Sequence, residues 1–498
     1  MTEVLSMLRF VGTLVLVLVI FNFVILVHEW GHFLAARWRG LKVEKFQIWM
    51  GKPIWKKTYN GVQYGLGSLP IGGFVALPQM APMEAIEGST VDGVPREKLP
   101  PIKPLDKIIV AFAGPLFSAL LALGFACLVS FVGRPRHASE TTTVIGYTYP
   151  ETPAARSDLR PGDKILKIDG RPVTSFFGII GSVQWAVASS DQNPIIVEVE
   201  RPGVAEVVRV PVDAPVGQGK QFDEWNKQSW WTRLVGRPPL RTIGVRPALD
   251  LAVAGVVPNG PAEKAGIKEK DVITTVNGEK IYNGDLIFMA SKNSEGKPVE
   301  LGVKRGAEML TISLVPQKPV VSADRKDAKD LDVYMPGIDL GPANEEDFKL
   351  THPNPFALVY DMAANSLSNL RAMLSPGSGI SPAHMSGPVG IMNLYYNILQ
   401  SPYPLQLVFY MSVLLNMGLA IFNMLPLPVL DGGHITMALY ELIRGKAPSL
   451  RVLEPIQTAC VLLLLSFVVF VSVKDIGGLF GKKEEPWVET YSAEAKAP

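Results

Sequence analysis

Four long apolar stretches alternate with polar segments along the 498-residue chain. Each is close to the roughly 20 residues that an α-helix needs to cross the hydrocarbon core of a bilayer. The second stretch contains no charged residue. The pattern predicts a polytopic α-helical membrane protein with about four transmembrane helices, over residues 10–36, 108–132, 405–425 and 456–473.

Lysine and arginine residues cluster in two of the loops between these stretches. They follow the first stretch at 37–57 and lie between the third and fourth at 444–451. Because positively charged loops stay in the cytoplasm, both loops are predicted to be cytoplasmic, and the segment 134–404 extracytoplasmic. The first stretch runs into HEWGHFLAAR rather than a small-residue cleavage site, so we expect it to remain in the mature protein.

The loop after the first stretch has two parts. Residues 43–77 mix β-branched and aromatic residues with Asn-Gly and Gly-Gly turn signals, which predicts a small membrane-associated β-hairpin or sheet. Residues 78–104 are rich in proline and in charges of both signs, which is typical of a linker.

The segment between the second and third stretches contains an internal repeat. The sequence TPAARSDLRPGDKILKIDGRPV at 152–173 aligns without a gap with GPAEKAGIKEKDVITTVNGEKI at 260–281. Each copy predicts a short helix, a strand, a hairpin turn at Asp-Gly or Asn-Gly, a second helix and a β-rich end. The repeat is too long for a solenoid. We therefore expect two sibling α+β domains, over 139–215 and 241–318.

Both copies resemble the PDZ domains of bacterial proteases, in which the pattern PA-x-x-A-G-hydrophobic-x-x-G-D-x-I recurs. On that resemblance, Ile243, Gly244 and Val245 form the ligand loop of the second domain. Backbone N–H groups of such a loop capture a peptide end beside an open strand edge. The alternative is that one or both domains are spacers that bind no peptide.

The remaining segments carry weaker signals. The connector 216–240 is rich in tryptophan and is interpreted either as resting at the membrane interface or as plain packing between domains. Residues 319–404 are predicted to be a linker followed by amphipathic helices. Residues 426–451 form a cytoplasmic loop, and 475–498 form a tail.

The composition agrees with a membrane protein. Hydrophobic residues make up 48% of the chain and charged residues 19%, which is more apolar than a typical soluble protein. The net charge of +2 gives no reason to expect a nucleic-acid partner. The two cysteines lie singly in apolar stretches, which excludes a disulfide framework and argues against a cysteine-based zinc site.

The candidate chemistry begins at the end of the first stretch, in VHEWGHF at 27–33. Residues four apart share one face of a helix, so His28 and His32 point the same way and Glu29 lies within a turn of both. This is the HExxH motif, in which two imidazoles bind zinc and the glutamate is the general base. The alternative is a structural polar patch whose hydrogen bonds are satisfied within the helix bundle. However, ionisable groups at membrane depth are usually functional.

A catalytic zinc takes three protein ligands and keeps one position open. The chain has no charged residue from Ser386 to Leu430, and then Asp431 follows in FNMLPLPVLDGGH. An isolated carboxylate at the end of a span needs a partner, which a metal on two histidines supplies. We therefore predict Asp431 as the third ligand and Zn²⁺ as the metal. His434 is a rival ligand, for which an outer-shell or structural role is favoured.

With these motifs the chain resembles the site-2 protease family of intramembrane zinc metalloproteases. Within that family it is similar to the bacterial regulator-of-sigma-E protease type, which has tandem PDZ domains. The matching pieces occur in family order and cover essentially the whole chain: HEWGH (28–32), GSLPIGGFVAL (67–77), AGPLF (113–117), SGPVGI (386–391) and NMLPLPVLDGG (423–433).

The resemblance implies that His28, His32 and Asp431 hold the metal and that Glu29 is the base. It also implies that the hairpin around 62–77 offers a strand edge to an unwound substrate helix. The substrate-binding residues that it implies are Gly72, Gly73, Phe74, Val75 and Asn423.

The chain departs from the family pattern at two positions where asparagine is frequent, Ser118 and Gly418. Those asparagines are thought to help hold the substrate backbone. The departures therefore bear on substrate clamping and not on metal binding.

The sequence predicts a metalloendopeptidase that cuts within or near the transmembrane segments of other proteins. Expected partners are the lipid bilayer and pre-trimmed single-span substrates such as anti-sigma factors or remnant signal peptides, with no nucleic acid. The expected location is the bacterial inner membrane, with the PDZ-like domains outside the cytoplasm. Two other classes stay open: a catalytically inactive membrane-anchored PDZ scaffold, and a metal transporter, which would show ionisable ligands in several spans.

Overall fold

The structure of the chain is a computed structural model that describes residues 2–80, 102–178, 181–319, 333–342, 348–446 and 448–480. It opens with helix α1 (Thr2–Trp38), which stays unbroken through the HExxH motif. Residues Val11–Trp38 of this helix are long and apolar enough to cross a membrane.

A four-stranded sheet follows α1 and packs against its end. Phe33 of the helix and Phe46 of the sheet share a core and contact each other edge to face. The strands are β1 (Lys45–Met50), β2 (Trp55–Tyr59), β3 (Val62–Leu66) and β4 (Leu69–Ala76). The strand order is β2-β3-β1-β4, with β1 parallel to β3 and antiparallel to β4.

The predicted hairpin around 62–77 is wrong, although the sheet itself is present. Strands β3 and β4 follow each other in the chain with a short turn, yet β1 lies between them. Gly67, in the turn between β3 and β4, packs against the carbonyl oxygens of Met50 and Trp49 in β1 too closely for any side chain. The consequence is that β4 becomes an edge strand.

Helix α2 (Pro104–Val132) crosses α1 at very short range. A Cβ added at Gly31 would lie 2.5 Å from the carbonyl oxygen of Ala113, so only glycine allows this approach. The helix begins with a proline in its first turn, where a missing N–H costs nothing. Most of the predicted linker before it, at 81–101, lies outside the described residues.

The first repeat unit follows β5 (Arg134–His137) and contains its own apolar core. The elements are β6 (Ile145–Thr148), α3 (Pro153–Arg156), β7 (Lys164–Ile168), β8 (Arg171–Pro172), α4 (Val183–Ala188), β9 (Ile195–Glu200) and β10 (Val208–Val212). After a connector with α5 (Lys220–Lys227) and α6 (Trp230–Val235) comes β11 (Val245–Pro247). A four-stranded sheet has the order β10-β9-β7-β8, and a two-stranded sheet pairs β11 with β6.

The second repeat unit has the same plan around a separate core. The elements are β12 (Leu251–Val256), α7 (Pro261–Lys264), β13 (Val272–Val276), β14 (Glu279–Lys280), α8 (Asp285–Asn293), β15 (Val299–Arg305), β16 (Glu308–Leu314) and β17 (Ile338–Pro342). The main sheet has the order β14-β13-β15-β16, and β17 pairs antiparallel with β12.

The predicted domain boundaries are wrong at both carboxyl ends. The predicted second domain begins at residue 241, but β11 pairs with β6 of the first repeat unit and Ile243 lies in the core of that unit. The second unit closes in the same way with β17, well beyond residue 318. Each unit therefore takes its last strand from chain that follows its β-rich end.

The chain then returns to the membrane helices. Strand β18 (Phe348–Thr351) pairs antiparallel with β5, which joins the two ends of the segment that carries the repeat units. The predicted amphipathic helices are α9 (Pro355–Leu374) and α10 (Pro388–Leu399). They lead into α11 (Pro404–Asn423), α12 (Asp431–Arg444) and α13 (Leu450–Phe480).

Four of the described helices are long and apolar enough to cross a membrane: Val11–Trp38, Pro104–Val132, Pro404–Asn423 and Arg451–Leu479. This confirms the predicted polytopic helical membrane protein. The tail beyond residue 480 lies outside the described residues. The connector contacts the carboxyl end of α13, where Lys474 Nζ donates to the carbonyl oxygens of Leu234 and Gly236.

Candidate metal centre

Helix α1 places two imidazoles side by side on the face that meets α2. The four-residue spacing of His28 and His32 stacks them one turn apart. Their Nε2 atoms are 3.3 Å from each other. His28 is only 5% exposed, so the pair lies inside the helix bundle rather than on its lipid face.

The Nδ1 atoms of both rings have partners on α2. His32 Nδ1 lies 2.8 Å from the carbonyl oxygen of Val110, and His28 Nδ1 lies 3.0 Å from Ser118 Oγ. A carbonyl can only accept, so His32 Nδ1 carries a proton, and in the neutral ring Nε2 presents a lone pair. Such outer partners are the usual means of fixing the tautomer and the orientation of a metal-binding histidine.

The third group comes from the start of α12. Helix α11 ends at Asn423, and the two prolines of the following LPLP turn prevent it from continuing. Gly432 and Gly433 then pack so closely on carbonyls of that turn that a Cβ at either position would collide with them. This close turn places Asp431 Oδ2 3.2 Å from His28 Nε2 and Oδ1 3.3 Å from His32 Nε2.

The three side chains fit a zinc ion. One ligand atom from each of His28, His32 and Asp431 lies within 4.8 Å of the other two. Asp431 Oδ2 is buried and accepts no hydrogen bond of normal geometry, although an imidazole nitrogen lies at ion-pair distance. Because His32 Nδ1 donates to the Val110 carbonyl, the Nε2 of its neutral ring directs a lone pair at the Asp431 carboxylate, an arrangement that a shared cation would resolve. Two imidazoles and one carboxylate form a common catalytic zinc ligand set.

A glycine on α2 leaves the room that such an ion needs. A Cβ added at Gly114 would collide with the Nε2 atoms of both His32 and His28. The absence of a side chain at this position therefore keeps the ligand atoms accessible to one another. Gly114 belongs to the AGPLF piece of α2.

A cavity of about 220 Å³ opens at the three ligands. Glu29 is half-buried and lines it, as the HExxH spacing predicts. Asn423 also lines it, with Nδ2 3.2 Å from His28 Nε2. His434 is a lining residue too, but the group of metal-ligating side chains is formed by His28, His32 and Asp431.

Strand β4 runs along the same cavity. Among the described strands it pairs with β1, through Phe74 opposite Gln47 and Gly73 opposite Ile48, and its other edge has no strand partner. A Cβ added at Gly73 would lie 3.4 Å from Glu29 Cγ, and Val75 lines the cavity. Gly72 has φ +75°, which bends the strand beside this point.

The structure does not bring Ile243, Gly244 and Val245 to the metal centre. They lie in the first repeat unit, where the carbonyl oxygens of Ile243 and Gly244 accept hydrogen bonds from Ala154 and Tyr149. Gly244 has φ +81° and packs too closely on Thr152 for any side chain. The assignment of this loop to the second unit is therefore wrong, because strand pairing ties it to the first.

Sequence reasoning missed the contacts that α2 makes with the imidazoles. The family pattern relates Ser118 only to substrate clamping, yet its hydroxyl contacts His28 and the residue is fully buried. The Val110 carbonyl carries no side-chain signal at all. The AGPLF piece marked the right part of α2, since Gly114 and Ser118 share one helix face four residues apart.

Comparison with known proteins identifies the family of the chain. A family model described as peptidase family M50 matches residues 16–467. The chain is 26% identical to protease RseP of Yersinia pestis over 456 residues, which cover 90% of this chain and 94% of that protein. It is 27% identical to a predicted zinc metalloprotease of Treponema pallidum over 452 residues, covering 88% and 93%.

A third relative is the regulator of sigma-E protease RseP of Salmonella typhimurium. It is 24% identical over 469 residues, which cover 90% of this chain and 94% of that protein. The family match extends from the HExxH helix into the last membrane helix. The chain therefore belongs to peptidase family M50, the site-2 protease family of zinc-dependent intramembrane metalloendopeptidases.

Proposed function

We propose that His28, His32 and Asp431 hold the zinc ion of this metalloendopeptidase and that Glu29 is its general base. The observation that carries the proposal is the convergence of one ligand atom from each of these three side chains to within 4.8 Å. The ligands come from α1 and α12, some four hundred residues apart in the chain. Glu29 lines the cavity at this point, where a water and a peptide bond have room.

The residues around the metal site have separate roles in the reaction. When bound, zinc supplies a Lewis acid that polarises a peptide carbonyl and acidifies water. Glu29 accepts the proton of the attacking water and delivers it to the leaving amine nitrogen. Val110 and Ser118 hold the two imidazoles in the orientation that directs Nε2 into the cavity.

The substrate is a membrane-spanning segment of another protein, which must be unwound before it is cut. A helix in lipid hides its carbonyls in internal hydrogen bonds, and breaking them there is costly. The free edge of β4 supplies new backbone partners next to Glu29, in the manner of β-strand addition. Gly72, Gly73, Phe74 and Val75 form this edge, and Asn423 faces the same cavity to hold the substrate backbone.

The repeat units restrict which substrates reach the cavity. We place them outside the cytoplasm of a bacterial inner-membrane protein, as the distribution of lysine and arginine indicates. There they admit stubs already trimmed by another protease, such as anti-sigma factors or remnant signal peptides. The PDZ-like loop at Ile243, Gly244 and Val245 is then a site for a peptide end in the first unit.

Cleavage of a single-span reporter by the full-length protein in lipid vesicles tests the proposed function. We expect mass spectrometry to place the cut within or near the reporter span. We expect cleavage to stop when a zinc chelator is added and to return with zinc. Cuts confined to soluble loops, or cleavage that is indifferent to the chelator, would contradict the proposal.

The pairing of β5 with β18 suggests how to test whether the repeat units exclude untrimmed substrates. Phe348 lies opposite His137, so residues 138–347 can be replaced by a short turn without separating the chain ends. This variant should cut untrimmed substrates as fast as trimmed ones. If untrimmed substrates stay resistant while trimmed ones are cut, the repeat units are not what excludes them.

A further inference from the structure

The connector 216–240, which joins β10 to β11 of the first repeat unit, contains an exposed apolar patch. Helix α6 begins at Trp230, with Ser229 capping its first turn. Trp230 is 71% exposed, Trp231 57% and Leu234 46%. These three side chains, called the α6 patch below, are unusually large and apolar for a surface in water.

Helix α13 fixes where this patch lies. The backbone of α6 passes so close to Gly477 that a Cβ there would collide with the carbonyl oxygen of Val235. Lys474 Nζ donates to the carbonyl oxygens of Leu234 at 3.1 Å and Gly236 at 2.7 Å. Lysine thus satisfies carbonyls that the end of α6 leaves unpaired.

A buried carboxylate adds a second tie. Arg237 Nη2 donates to Asp475 Oδ1 at 2.5 Å. Asp475 Oδ2 accepts from the backbone N–H groups of Gly387 at 2.9 Å and Gly390 at 2.7 Å. The Asp475 side chain has no exposed surface, so these contacts bind the connector, the start of α10 and the end of α13 into one unit.

The ties hold the α6 patch at the height of a membrane surface. Gly477 lies in the last turn of the apolar span Arg451–Leu479. Beside it on α13, Ile476 and Leu479 are 43% and 44% exposed. The exposed apolar surface of the span therefore reaches the level of α6, where a bilayer changes from acyl chains to headgroups. Tryptophan is the residue most typical of that zone, because its ring is apolar and its N–H is polar.

We propose that α6 is an interfacial anchor, with Trp230, Trp231 and Leu234 inserted in the headgroup region of the bilayer. The partner of the patch is the lipid surface. Lys474 and Asp475 hold α6 against α13, and α13 sets the depth of α6 in the bilayer. The anchor fixes the height of the repeat units above the membrane. The proposal therefore favours the membrane interface over packing between domains as the role of the tryptophan-rich connector.

Site-directed spin labelling of the full-length protein in phosphatidylethanolamine–phosphatidylglycerol vesicles tests the anchor. Cys127 and Cys460 are first replaced by alanine, and Trp231→Cys is labelled with a nitroxide. Collisions with O₂, which concentrates in lipid, are compared with collisions with a water-soluble nickel complex. Val204→Cys on the first repeat unit and Leu463→Cys in mid-span, both exposed in the structure, supply the water and lipid references.

We expect the label at 231 to lose most of the nickel access seen at 204 and to gain O₂ access toward the value at 463. Arg237→Gln, which removes the contact with Asp475, should return nickel access to the label, whereas Arg233→Gln, at an exposed residue of α6, should not. Nickel access at 231 equal to that at 204 overturns the proposal. So does protection from both reagents with spin–spin broadening, which would show a second copy of the chain covering the patch.

Discussion

Buried carboxylates occur in both regions of this molecule, but their surroundings differ. In the repeat units, Asp163 and Asp271 are each 1% exposed and lie against arginine, with Arg201 at 2.8 Å and Arg305 at 2.6 Å. In the membrane helices, Asp431 faces two imidazoles and no arginine or lysine among its described ion-pair contacts.

The two kinds of carboxylate differ in the group that neutralises them. A carboxylate paired with arginine is satisfied within the chain, and both repeat units use the same pair at equivalent places. A carboxylate that faces only imidazole nitrogens is satisfied when a cation is added. The comparison predicts that substitutions at the membrane site change zinc and cleavage, while substitutions at the arginine pairs change only local stability.

The largest effect is expected for Glu29→Gln, which keeps the shape of the side chain and removes its basicity. Reporter cleavage should fall by about 10²–10⁴-fold, the usual contribution of general acid–base catalysis. Zinc content should stay as in the unmodified protein, since Glu29 is not among the ligand atoms. Cleavage at the normal rate would contradict the role of Glu29 as base.

A methyl group at Gly114 should disrupt the ligands without touching any of them chemically. We expect Gly114→Ala to lose zinc and cleavage, because its Cβ would occupy the space of the two Nε2 atoms. Gly124→Ala in the same helix is the matched control, since a Cβ there meets no atom within 4 Å. Metal analysis of both purified proteins measures the difference. Equal zinc contents would show that zinc binding does not need the space left by Gly114.

Ser118→Ala should have an intermediate effect. Loss of the hydroxyl leaves His28 Nδ1 without the partner at 3.0 Å, and outer-shell changes of this kind typically weaken metal binding by about 10–100-fold. Competition with a chelator measures the change. Ser412→Ala, another buried serine whose hydroxyl contacts Tyr395, should bind zinc normally. Equal zinc affinities for the two variants would show that Ser118 does not support metal binding.

The smallest effect on catalysis is expected for Asp271→Asn. It should weaken the second repeat unit by about 2–3 kcal/mol, because Arg305 loses a charged partner. Hydrogen exchange of β13 and β15 in the full-length protein reports this loss, with exposed Glu300→Gln as the control. Unchanged exchange in β13 and β15 would show that the pair is dispensable.

The same pair predicts a pH dependence. Hydrogen bonds from the Arg305 guanidinium hold the pKa of Asp271 below its ordinary value. A carboxyl with a lowered folded pKa stabilises the fold above its unfolded pKa, near 3.9, and loses that contribution as the pH falls through the folded value. Protection of β13 and β15 should therefore decrease on acidification in the unmodified protein and change less in Asp271→Asn.

Local patterns in the sequence were sufficient for the helices and for most of the site. The spacing of His28 and His32 is a helical turn, and the four spans follow from runs of apolar residues. Asp431 could be found because it ends a long uncharged stretch. The repeat revealed two related units, since each copy begins with the same helix, turn and strand.

What the sequence did not reveal depends on pairing between distant segments. Strand β1 lies between β3 and β4, and no local signal distinguishes that order from a hairpin. Strand β11 follows its own unit across a connector of about thirty residues, so its partner β6 cannot be read from neighbouring positions. Ser118 reaches His28 across a helix crossing that depends on Gly31, which is likewise a tertiary feature.

The central claim is that a zinc ion joins Asp431 to the two histidines of α1. The most direct measurement is the zinc content of the purified protein and of Asp431→Asn, with reporter cleavage measured on the same samples. Asp361→Asn, at an exposed carboxylate of α9, is the control. We expect stoichiometric zinc and cleavage in the unmodified protein and the control, and loss of both in Asp431→Asn. Full zinc content and normal cleavage in Asp431→Asn would contradict the account.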